Sequence, residues 1–500
     1  MSFKIAFIGA GSIGFTRTLL GDLMNSTEFH NIEISFMDIS AENLSMCTQL
    51  CQRDLESNGI KIKIHSTTNQ RDAVKDARYV FFMARVGGIE AFQSDIDIPL
   101  FYGIDQCVGD TLCAGGIMYA QRGVPIILNL CKDIRELSEP KAILMNYANP
   151  MAMMTWAANA YGGVKTIGLC HGVQHGHHQL AEAFELPQKD IDIICAGINH
   201  QTWYVSVKHQ GKDLTSKILE AFEKHPDFSK TEKVRIDMLR RFGYYSTESN
   251  GHLSEYLPWY RKRPNEIKEW IDMGQWINGE TGGYLRVCTE KRNWFETDFP
   301  QWLKDPANVY SKENRSNEHG SYIIEGLETG RVYRGHFNVI NRGIISNLPD
   351  DAIIEAPGYV DRNGLSMPQV GNLPLGCAAV CNASITVQRL GVEAAVHGDI
   401  NLLRQAMMMD PLTGAVCNPP EIWQMADEML VAQAEWLPQY KNAITEAKGR
   451  LAKEKKVTTK NYLGAARLNT KSVEELREDM AAAKSYQQAD MAKVRHAAVK

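Results

Sequence analysis

Short apolar runs alternate with amphipathic segments along the first two hundred residues. The apolar runs predict six strands, at residues 3–8, 32–37, 61–65, 78–84, 142–146 and 165–169. The segments between them predict helices around residues 13–25, 41–58, 117–136 and 151–160. Because strands and helices alternate, the pattern favours an α/β fold with a doubly wound parallel sheet.

The pattern changes near residue 200. Thr202–His209 predicts one more strand, and a mixed region rich in aromatic and charged residues follows to about residue 320. Further strands are predicted at 332–345 and 352–360, and helices around 377–409 and 420–435.

The last sixty residues have a different composition. Basic residues outnumber acidic ones, Ala and Gln are frequent, and large apolar residues are few. Val473–Tyr486 has a helical pattern. A surface helix or mobile tail is favoured over a partner-binding arm, because the basic residues are not clustered as nucleic-acid binding requires.

A glycine-rich motif, Gly9–Gly14, follows the first predicted strand and opens a predicted helix. It matches the dinucleotide fingerprint G-x-G-x-x-G. We expect Gly9 to form the tight turn, Gly11 to let the backbone approach a pyrophosphate, and Gly14 to pack the helix against the strand.

The surroundings of this motif agree with a dinucleotide site. The helix that begins near Ser12 and Ile13 offers free N–H groups to a diphosphate. Asp38 follows the second predicted strand, where it would accept hydrogen bonds from the ribose hydroxyls and repel a 2′-phosphate. The sequence therefore predicts NAD rather than NADP.

Composition narrows the classes of function. The chain has 500 residues, 44% hydrophobic and 23% charged, with a net charge of −5. These values are ordinary for a globular enzyme and suggest neither a nucleic-acid nor a membrane partner. No apolar run approaches the length of about 18 residues needed to span a membrane. The 11 cysteines lack disulfide spacing, which favours the cytoplasm.

Two pairs of residues with metal-ligating chemistry follow predicted strands. Cys170-His171 ends the sixth strand, and Asn199-His200 ends a later apolar stretch. Ligands of open α/β sheets bind at the carboxyl ends of strands, so Cys170 and His200 could share a divalent cation. A buried cysteine and a helix-capping histidine would explain these residues equally well.

Two further polar stretches are candidates for ligand contacts. Asn149 ends a strand and is held extended by Pro150, so its amide could bind a ligand hydroxyl or a nicotinamide. Thr247–Trp259 combines acids, a tyrosine and a tryptophan and could form a lid. A simple turn and an ordinary loop are the alternatives.

Together these motifs resemble the family 4 glycoside hydrolases, which are NAD- and metal-dependent glycosidases. The resemblance covers about residues 3–440 and is carried by Gly9–Gly14, Arg85–Gly88, Asp110-Thr111, Gly115–Ile117, Asn149–Met153, Cys170-His171, Ala196–His200, Glu248–Tyr256 and Asn347–Pro349. Trp156 and Tyr256–Trp259 are most similar to the α-galactosidase branch. Gly172 departs from it, because Cys-His-Gly is more typical of α-glucosidases and α-glucuronidases. The chain also extends past the usual family end.

The resemblance implies a fold and a mechanism. It implies a Rossmann domain over residues 1–200 and a larger substrate and metal domain of the lactate/malate dehydrogenase type over 201–440. Composition sets residues 441–500 apart as a basic, Ala/Gln-rich C-terminal extension. NAD⁺ would take hydride from C3 of the sugar, and a base would remove the acidified C2 proton. The C1–oxygen bond then breaks by elimination, water adds at C1, and NADH returns the hydride.

The resemblance also assigns the metal site and the acid. Cys170 and His200 would bind Mn²⁺, which holds O2 and O3 of the sugar. His171 would protonate the leaving oxygen, or else bind substrate. Glu318 and His319 are similar to a stretch that lines the family's active site, and a structural role for them is equally plausible.

The base and the substrate contacts remain to be assigned. Tyr256 is the first choice for the C2 base because related enzymes use a tyrosine there, and Glu248 is the carboxylate alternative. Asn149, Arg85 and Asp110 are expected to contact the substrate or the cofactor.

We therefore expect a cytoplasmic, homo-oligomeric α-glycosidase that acts on a small-molecule α-glycoside and uses NAD and Mn²⁺. An α-glucuronidase or another α-hexuronidase is the alternative within the family, with His175, His177 and His178 as possible cationic groups. A 2-hydroxyacid dehydrogenase on the same scaffold needs no metal, and neither does a non-enzymatic NAD sensor. The Cys170/His200 pair disfavours both.

Overall fold

A computed structural model describes residues 3–453, 457 and 459–483. Its strands are β1 Lys4–Ile8, β2 Glu33–Met37, β3 His65–Thr67, β4 Ala77–Phe82, β5 Ile143–Asn146, β6 Lys165–Gly168, β7 Ile191–Ile198, β8 Gln201–His209, β9 Lys212–Asp213, β10 Tyr333–Ile340, β11 Ile353–Asp361 and β12 Gly364–Ser366.

Helices connect and cover these strands. They are α1 Ile13–Met24, α2 Ala41–Ser57, α3 Gln70–Val74, α4 Gly88–Phe101, α5 Cys113–Leu137, α6 Met151–Ala160, α7 Gly172–Ala183, α8 Ile218–Lys224, α9 Phe228–Thr231, α10 Lys233–Phe242, α11 Asn250–Tyr256, α12 Ile267–Trp270, α13 Gly283–Trp302, α14 His319–Thr329, α15 Leu375–His397, α16 Ile400–Met409, α17 Pro411–Val416, α18 Pro419–Ala432 and α19 Lys441–Lys453. Residues 473–483 are also helical, as predicted, while 484–486 of the predicted helix lie outside the described residues.

All the described strands belong to one sheet, in the order β3-β2-β1-β4-β5-β6-β10-β11-β7-β8-β9, with β12 paired to β11. The pairs from β3 to β6 are parallel, which confirms the predicted α/β class. From β10 onward the pairing is antiparallel. Strands from late in the chain thus stand between β6 and β7, and the predicted division near residue 200 stays a prediction.

Side chains of the sheet alternate between two apolar cores. In β1, Ile5 and Phe7 join the core beneath α1, α2 and α14, whereas Ala6 and Ile8 join the core beneath α5, α6 and α15. Because successive side chains of a strand point to opposite faces, a strand that is apolar throughout is buried on both sides. The helices therefore cover both faces of the sheet, as the doubly wound prediction requires.

Several predicted bounds differ from the structure: β10 ends at Ile340 rather than at residue 345, and α5 begins at Cys113 rather than near residue 117. The strand predicted at residues 61–65 begins only at His65, because the Gln52 side chain on α2 bonds the backbone at Ile62 and Ile64. The helix predicted over 377–409 is two helices. Gly398 ends α15 at a φ of +64°, and Asp399 caps α16 by accepting hydrogen bonds from two backbone N–H groups.

Among the described residues, no helix is both long enough and apolar enough to cross a membrane. The buried thiols of Cys47, Cys51, Cys377 and Cys381 pack in the apolar cores, as expected of small hydrophobic side chains.

Candidate active site

Cys170 and His200 lie at the ends of strands that the sheet brings close together. Cys170 stands between the end of β6 and the start of α7, and His171 is the N-cap residue of α7. His200 is in the two-residue turn between the paired Ile198 and Gln201 of β7 and β8. Its φ is +62°, a region that residues other than glycine seldom adopt. This turn directs the His200 imidazole toward the end of β6.

Glu248 completes a cluster with these two side chains. The thiol of Cys170, the imidazole of His200 and the carboxylate of Glu248 offer ligand atoms that all lie within 4.8 Å of one another. His200 Nε2 is 3.2 Å from Glu248 Oε2, and Cys170 Sγ is 3.9 Å from the same oxygen. Sulfur, nitrogen and oxygen in this arrangement can bind one divalent cation.

The charges of the cluster favour a cation. Burial by itself raises the pKa of the Glu248 carboxyl, but the imidazoles of His200 and His252 outweigh burial and lower this pKa to about 2. Burial, together with the charge of Glu248, holds the pKa of the Cys170 thiol well above its usual range. A bound cation would reverse this effect, because a metal-coordinated thiol loses its proton.

The hydrogen bonds around His200 fix its tautomer. Thr111 Oγ1 donates to Asp110 Oδ1 at 2.8 Å, so its single hydrogen is not available to His200. His200 Nδ1, 2.9 Å from Thr111 Oγ1, must therefore carry a proton and donate it. Nε2 then faces Cys170 and Glu248 as the metal-binding nitrogen, in the way that outer hydrogen bonds orient metal-ligating histidines.

Asp110, Asn149 and Arg85, for which the sequence predicts substrate contacts, meet beside this cluster, and the substrate contacts themselves stay a prediction. Asn149 Nδ2 donates to Asp110 Oδ2 at 2.8 Å, and Arg85 Nη2 lies 3.9 Å from the same oxygen. The Arg85 guanidinium lies over the rings of Phe92 and Tyr119, at 4.3 Å and 5.0 Å from their centres. These contacts hold a charged group at the edge of the site.

His171 lies nearer to solvent than the cluster. Its side chain is 62% exposed, and Nδ1 is 3.1 Å from Glu318 Oε1. The hydrogen bond to the Glu318 carboxylate raises the pKa of His171 to about 9. Both side chains line a cavity of about 420 Å³, together with Gln174, His175, His178, Gln188 and Asn317.

Tyr256 and Glu255 both belong to the buried helix α11 but have different surroundings. The Tyr256 hydroxyl is 3.5 Å from His200 Nδ1, on the side of the ring away from Nε2, and burial holds its pKa well above the usual range. The Glu255 carboxylate accepts hydrogen bonds from the backbone N–H groups of Cys107, Val108 and Gly109. Glu255 therefore supports the loop that leads to Asp110.

The glycine-rich motif has the predicted strand–turn–helix geometry. Gly9 has a φ of +89°, and a Cβ there would lie 2.7 Å from the backbone nitrogen of Ala84. The N–H of Gly11 donates to Asp38 Oδ2 at 2.8 Å. A Cβ at Gly14 would meet no neighbouring atom within 4 Å, so the predicted close packing of helix against strand at Gly14 is wrong.

The start of α1 follows the same geometry. This helix begins at Ile13, and Ser12 is its N-cap residue with no side-chain hydrogen bond to the helix. The N–H groups of the first turn therefore stay available to an anion.

Comparison with known proteins identifies the family. Residues 4–186 match the sequence model of the "Family 4 glycosyl hydrolase", and residues 195–413 match that of the "Family 4 glycosyl hydrolase C-terminal domain". The chain belongs to family 4 of the glycosyl hydrolases. An alpha-galactosidase of Rhizobium meliloti is 57% identical over 97% of this chain and 99% of that protein. An alpha-galactosidase of Bacillus subtilis is 34% identical over 88% of this chain and 100% of that protein.

A solved structure shares the family 4 fold. The 6-phospho-beta glucosidase of Thermotoga maritima, solved with manganese, NAD⁺ and glucose-6-phosphate, superposes with a TM-score of 0.71 at 24% identity. The match covers 87% of this chain and 99% of that one.

The buried polar side chains of this family 4 chain fit a polar ligand. Within the part of the chain that the structure describes, Glu355 is buried beside Asn199 and Asn338, and burial raises its pKa to about 8 although hydrogen bonds from these two amides oppose the rise. His252 Nε2 and Arg85 Nη1 are buried and have no hydrogen-bond partner among the described residues. Buried polar atoms are rarely left unpaired, so a cation, a sugar or water would satisfy them.

Sequence reasoning gave no role to His252, Asn338 or Glu355. His252 lies in the polar stretch after Thr247 and forms a second group of possible ligands with Asp110 and His200. Asn338 and Glu355 are cross-strand partners on β10 and β11. A carboxylate inside the apolar run Ile353–Ala356 was the available signal, because a charge in a buried strand needs a compensating partner.

Proposed function

We propose that this family 4 enzyme hydrolyses α-galactosides with the help of NAD⁺ and a divalent cation, Mn²⁺ first among the candidates. The observation that carries the proposal is the Cys170–His200–Glu248 cluster at the strand ends, beside the Asp110–Asn149 pair. The two alpha-galactosidases at 57% and 34% identity support the choice of sugar. The family relationship and the Gly9–Gly14 turn support NAD.

Different residues of the chain would bind the cation and orient the sugar. Bound NAD⁺ would accept and return hydride, and the cation would polarise the sugar's oxygens. Cys170 Sγ and His200 Nε2 would hold the cation, with the Thr111–Asp110 chain fixing the imidazole. Asn149 and Asp110, which hydrogen-bond each other beside the cluster, would orient the sugar hydroxyls.

For the C2 base we favour Glu248 over Tyr256, the residue that the sequence placed first. The Glu248 carboxylate lies among the metal-binding atoms and stays ionised. The Tyr256 hydroxyl lies behind the His200 ring, where a burial-raised pKa disfavours the phenolate. In this arrangement Tyr256 supports His200, and Glu248 is close enough to take a proton from the ligand.

For the leaving group, His171 is the proposed proton donor. Its raised pKa of about 9 keeps the imidazole protonated at neutral pH, and its exposed position leaves room for an aglycone. Glu318 holds the imidazole from the other side.

An α-hexuronidase is the second candidate. The cavity beside Cys170 is lined by His171, His175 and His178, which are groups that could bind a carboxylate. The homo-oligomeric state and the cytoplasmic location suggested by the sequence stay predictions.

The substrate and the cofactors can be tested together. Hydrolysis of p-nitrophenyl α-galactoside, α-glucuronide and α-galacturonide is measured with and without NAD⁺, Mn²⁺ and a thiol reductant. We expect turnover of the galactoside that needs both cofactors and accumulates no NADH. Preference for a uronide would move the chain to the hexuronidases. NADH production from a 2-hydroxy acid, without glycoside cleavage, would contradict the proposal.

Cys170→Ser tests the metal site directly. We expect Mn²⁺ affinity to fall by more than the roughly 10–100-fold that loss of an outer-shell partner costs, because a thiolate ligand is removed. Titration calorimetry would measure Mn²⁺ and NAD⁺ binding separately, and NAD⁺ affinity should change little. Cys131→Ser, a buried thiol on α5, is the matched control. Full activity of Cys170→Ser in the presence of a chelator would refute the assignment.

Glu248→Gln and Tyr256→Phe separate the two candidate bases. We expect Glu248→Gln to lower kcat by at least about 10²-fold, the lower end of what a general base contributes, and Tyr256→Phe to lower it far less. Both are measured at saturating Mn²⁺, with metal affinity determined in parallel. The reverse order of effects would restore Tyr256 as the base.

Asp38→Ala tests the ribose contact. Loss of hydrogen bonds to a charged group should weaken NAD⁺ binding by about ten- to a hundredfold and reduce discrimination against NADP⁺. Fluorescence titration with both nucleotides would measure this change, with the exposed Asp192→Ala as control. Unchanged NAD⁺ affinity would count against the role of Asp38.

A further inference from the structure

The segment of residues 459–483, here called the docked segment, returns to the body of the protein. Lys460 N–H donates to the carbonyl of Phe101 at 2.9 Å, at the end of α4. Thr281 N–H donates to the carbonyl of Ala466 at 3.1 Å. Arg467 pairs with Asp97 on α4 at 2.6 Å. These contacts follow one path across the face that carries α4 and the start of α13.

The far end of the docked segment is attached to α13. Lys471 N–H donates to Glu290 Oε1 at 2.8 Å, and Arg477 forms an ion pair with Asp298. The basic side chains of this region therefore meet acidic residues of the same chain. This pairing accounts for part of its basic composition without an external partner.

At the centre of this path, two residues of the docked segment reach a fully buried carboxylate, Asp105. Tyr462 OH donates to Asp105 Oδ2 at 2.7 Å, and Ala465 N–H donates to the same oxygen at 3.0 Å. The remaining donors are Arg261 and Thr281. A buried carboxylate that loses donors keeps the full cost of its desolvation, so these hydrogen bonds matter to the local structure.

The Asp105–Arg261 pair joins two walls of the proposed active site. Arg261 Nε donates to the backbone carbonyl of Asp105, and Nη1 donates to Ser254 Oγ of α11 at 3.3 Å. Asp105 lies in the loop between α4 and α5 that also carries Asp110, and Glu255 of α11 bonds the backbone between these two residues. The pair thus ties the Asp110 loop to the helix that follows Glu248.

We propose that the docked segment is an internal brace that positions the Asp110 loop and α11 for catalysis, with Tyr462 as its central positioning residue. The proposal rests on the proposed roles of Asp110 and Glu248. Both matches to the family sequence models end before this segment, the later one at residue 413, so the brace lies outside the stretches that these models cover. The contacts named above lie on the substrate side and not at the Gly9–Asp38 nucleotide turn.

Tyr462→Phe in the full-length chain tests the brace, because it removes one hydroxyl and keeps the ring. Amide hydrogen exchange, measured by mass spectrometry, should become at least tenfold faster in residues 105–112 and 250–256 and stay unchanged in residues 4–37. At a temperature well below unfolding, kcat for the glycoside should fall at least threefold, while NAD⁺ affinity stays within twofold of the wild type.

Two control variants give the comparison. Tyr161→Phe removes an exposed hydroxyl that bonds Glu393, and Lys224→Ala breaks an exposed ion pair with Glu220 on α8, outside the docked segment. Neither should change exchange at residues 105–112 or kcat. A lower unfolding temperature in Tyr462→Phe with unchanged kcat and unchanged exchange at both walls would overturn the brace and leave only a structural contact.

The exchange measurement separates this proposal from the proposed function. If the wild type cleaves no glycoside, the proposed function fails, yet the exchange at residues 105–112 and 250–256 still reports on the brace. If the wild type is active and Tyr462→Phe matches it in exchange and in kcat, the brace alone is refuted.

Discussion

The close approach of His200 and Glu248 is the interaction on which the rest of the site depends. Their facing atoms lie 3.2 Å apart in a buried position, and Cys170 lies beside them. His200 Nδ1 is hydrogen-bonded to Thr111. His200 Nε2, which faces Glu248, therefore presents either a lone pair or a second proton. A lone pair facing a carboxylate is repelled unless a cation lies between them. The site is therefore arranged for a proton or a metal ion at this one point.

The sheet creates this arrangement by inserting late strands between early ones. β10 and β11 separate β6 from β7, so the ends that carry Cys170 and His200 are joined by strands more than a hundred residues further along the chain. These strands also contribute Asn338 and Glu355, two buried polar side chains paired across β10 and β11. The β10–β11 pair therefore both connects β6 to β7 and places Asn338 and Glu355 near the site. A shift of one residue in the register of β11 would move Glu355 to the opposite face of the sheet.

The sequence predicted features formed by neighbouring segments of the chain better than features formed by contacts between distant segments. The Gly9–Asp38 unit and the strand ends at Cys170 and His200 were predictable, because a strand, a turn and a helix follow each other directly. Glu355 and the place of Glu248 were not, because each depends on contacts between distant segments. Local competition also misled the prediction at residues 61–65, where the Gln52 side chain replaces strand pairing.

The most direct test of the central claim is to follow the sugar's C2 hydrogen during hydrolysis in D₂O. Wild-type enzyme with NAD⁺, Mn²⁺ and p-nitrophenyl α-galactoside is allowed to react, and the released galactose is examined by proton NMR and mass spectrometry. If a base removes the C2 proton and exchanges it with solvent, the released galactose should carry deuterium at C2. Complete retention of hydrogen at C2, with turnover independent of NAD⁺, would contradict the account.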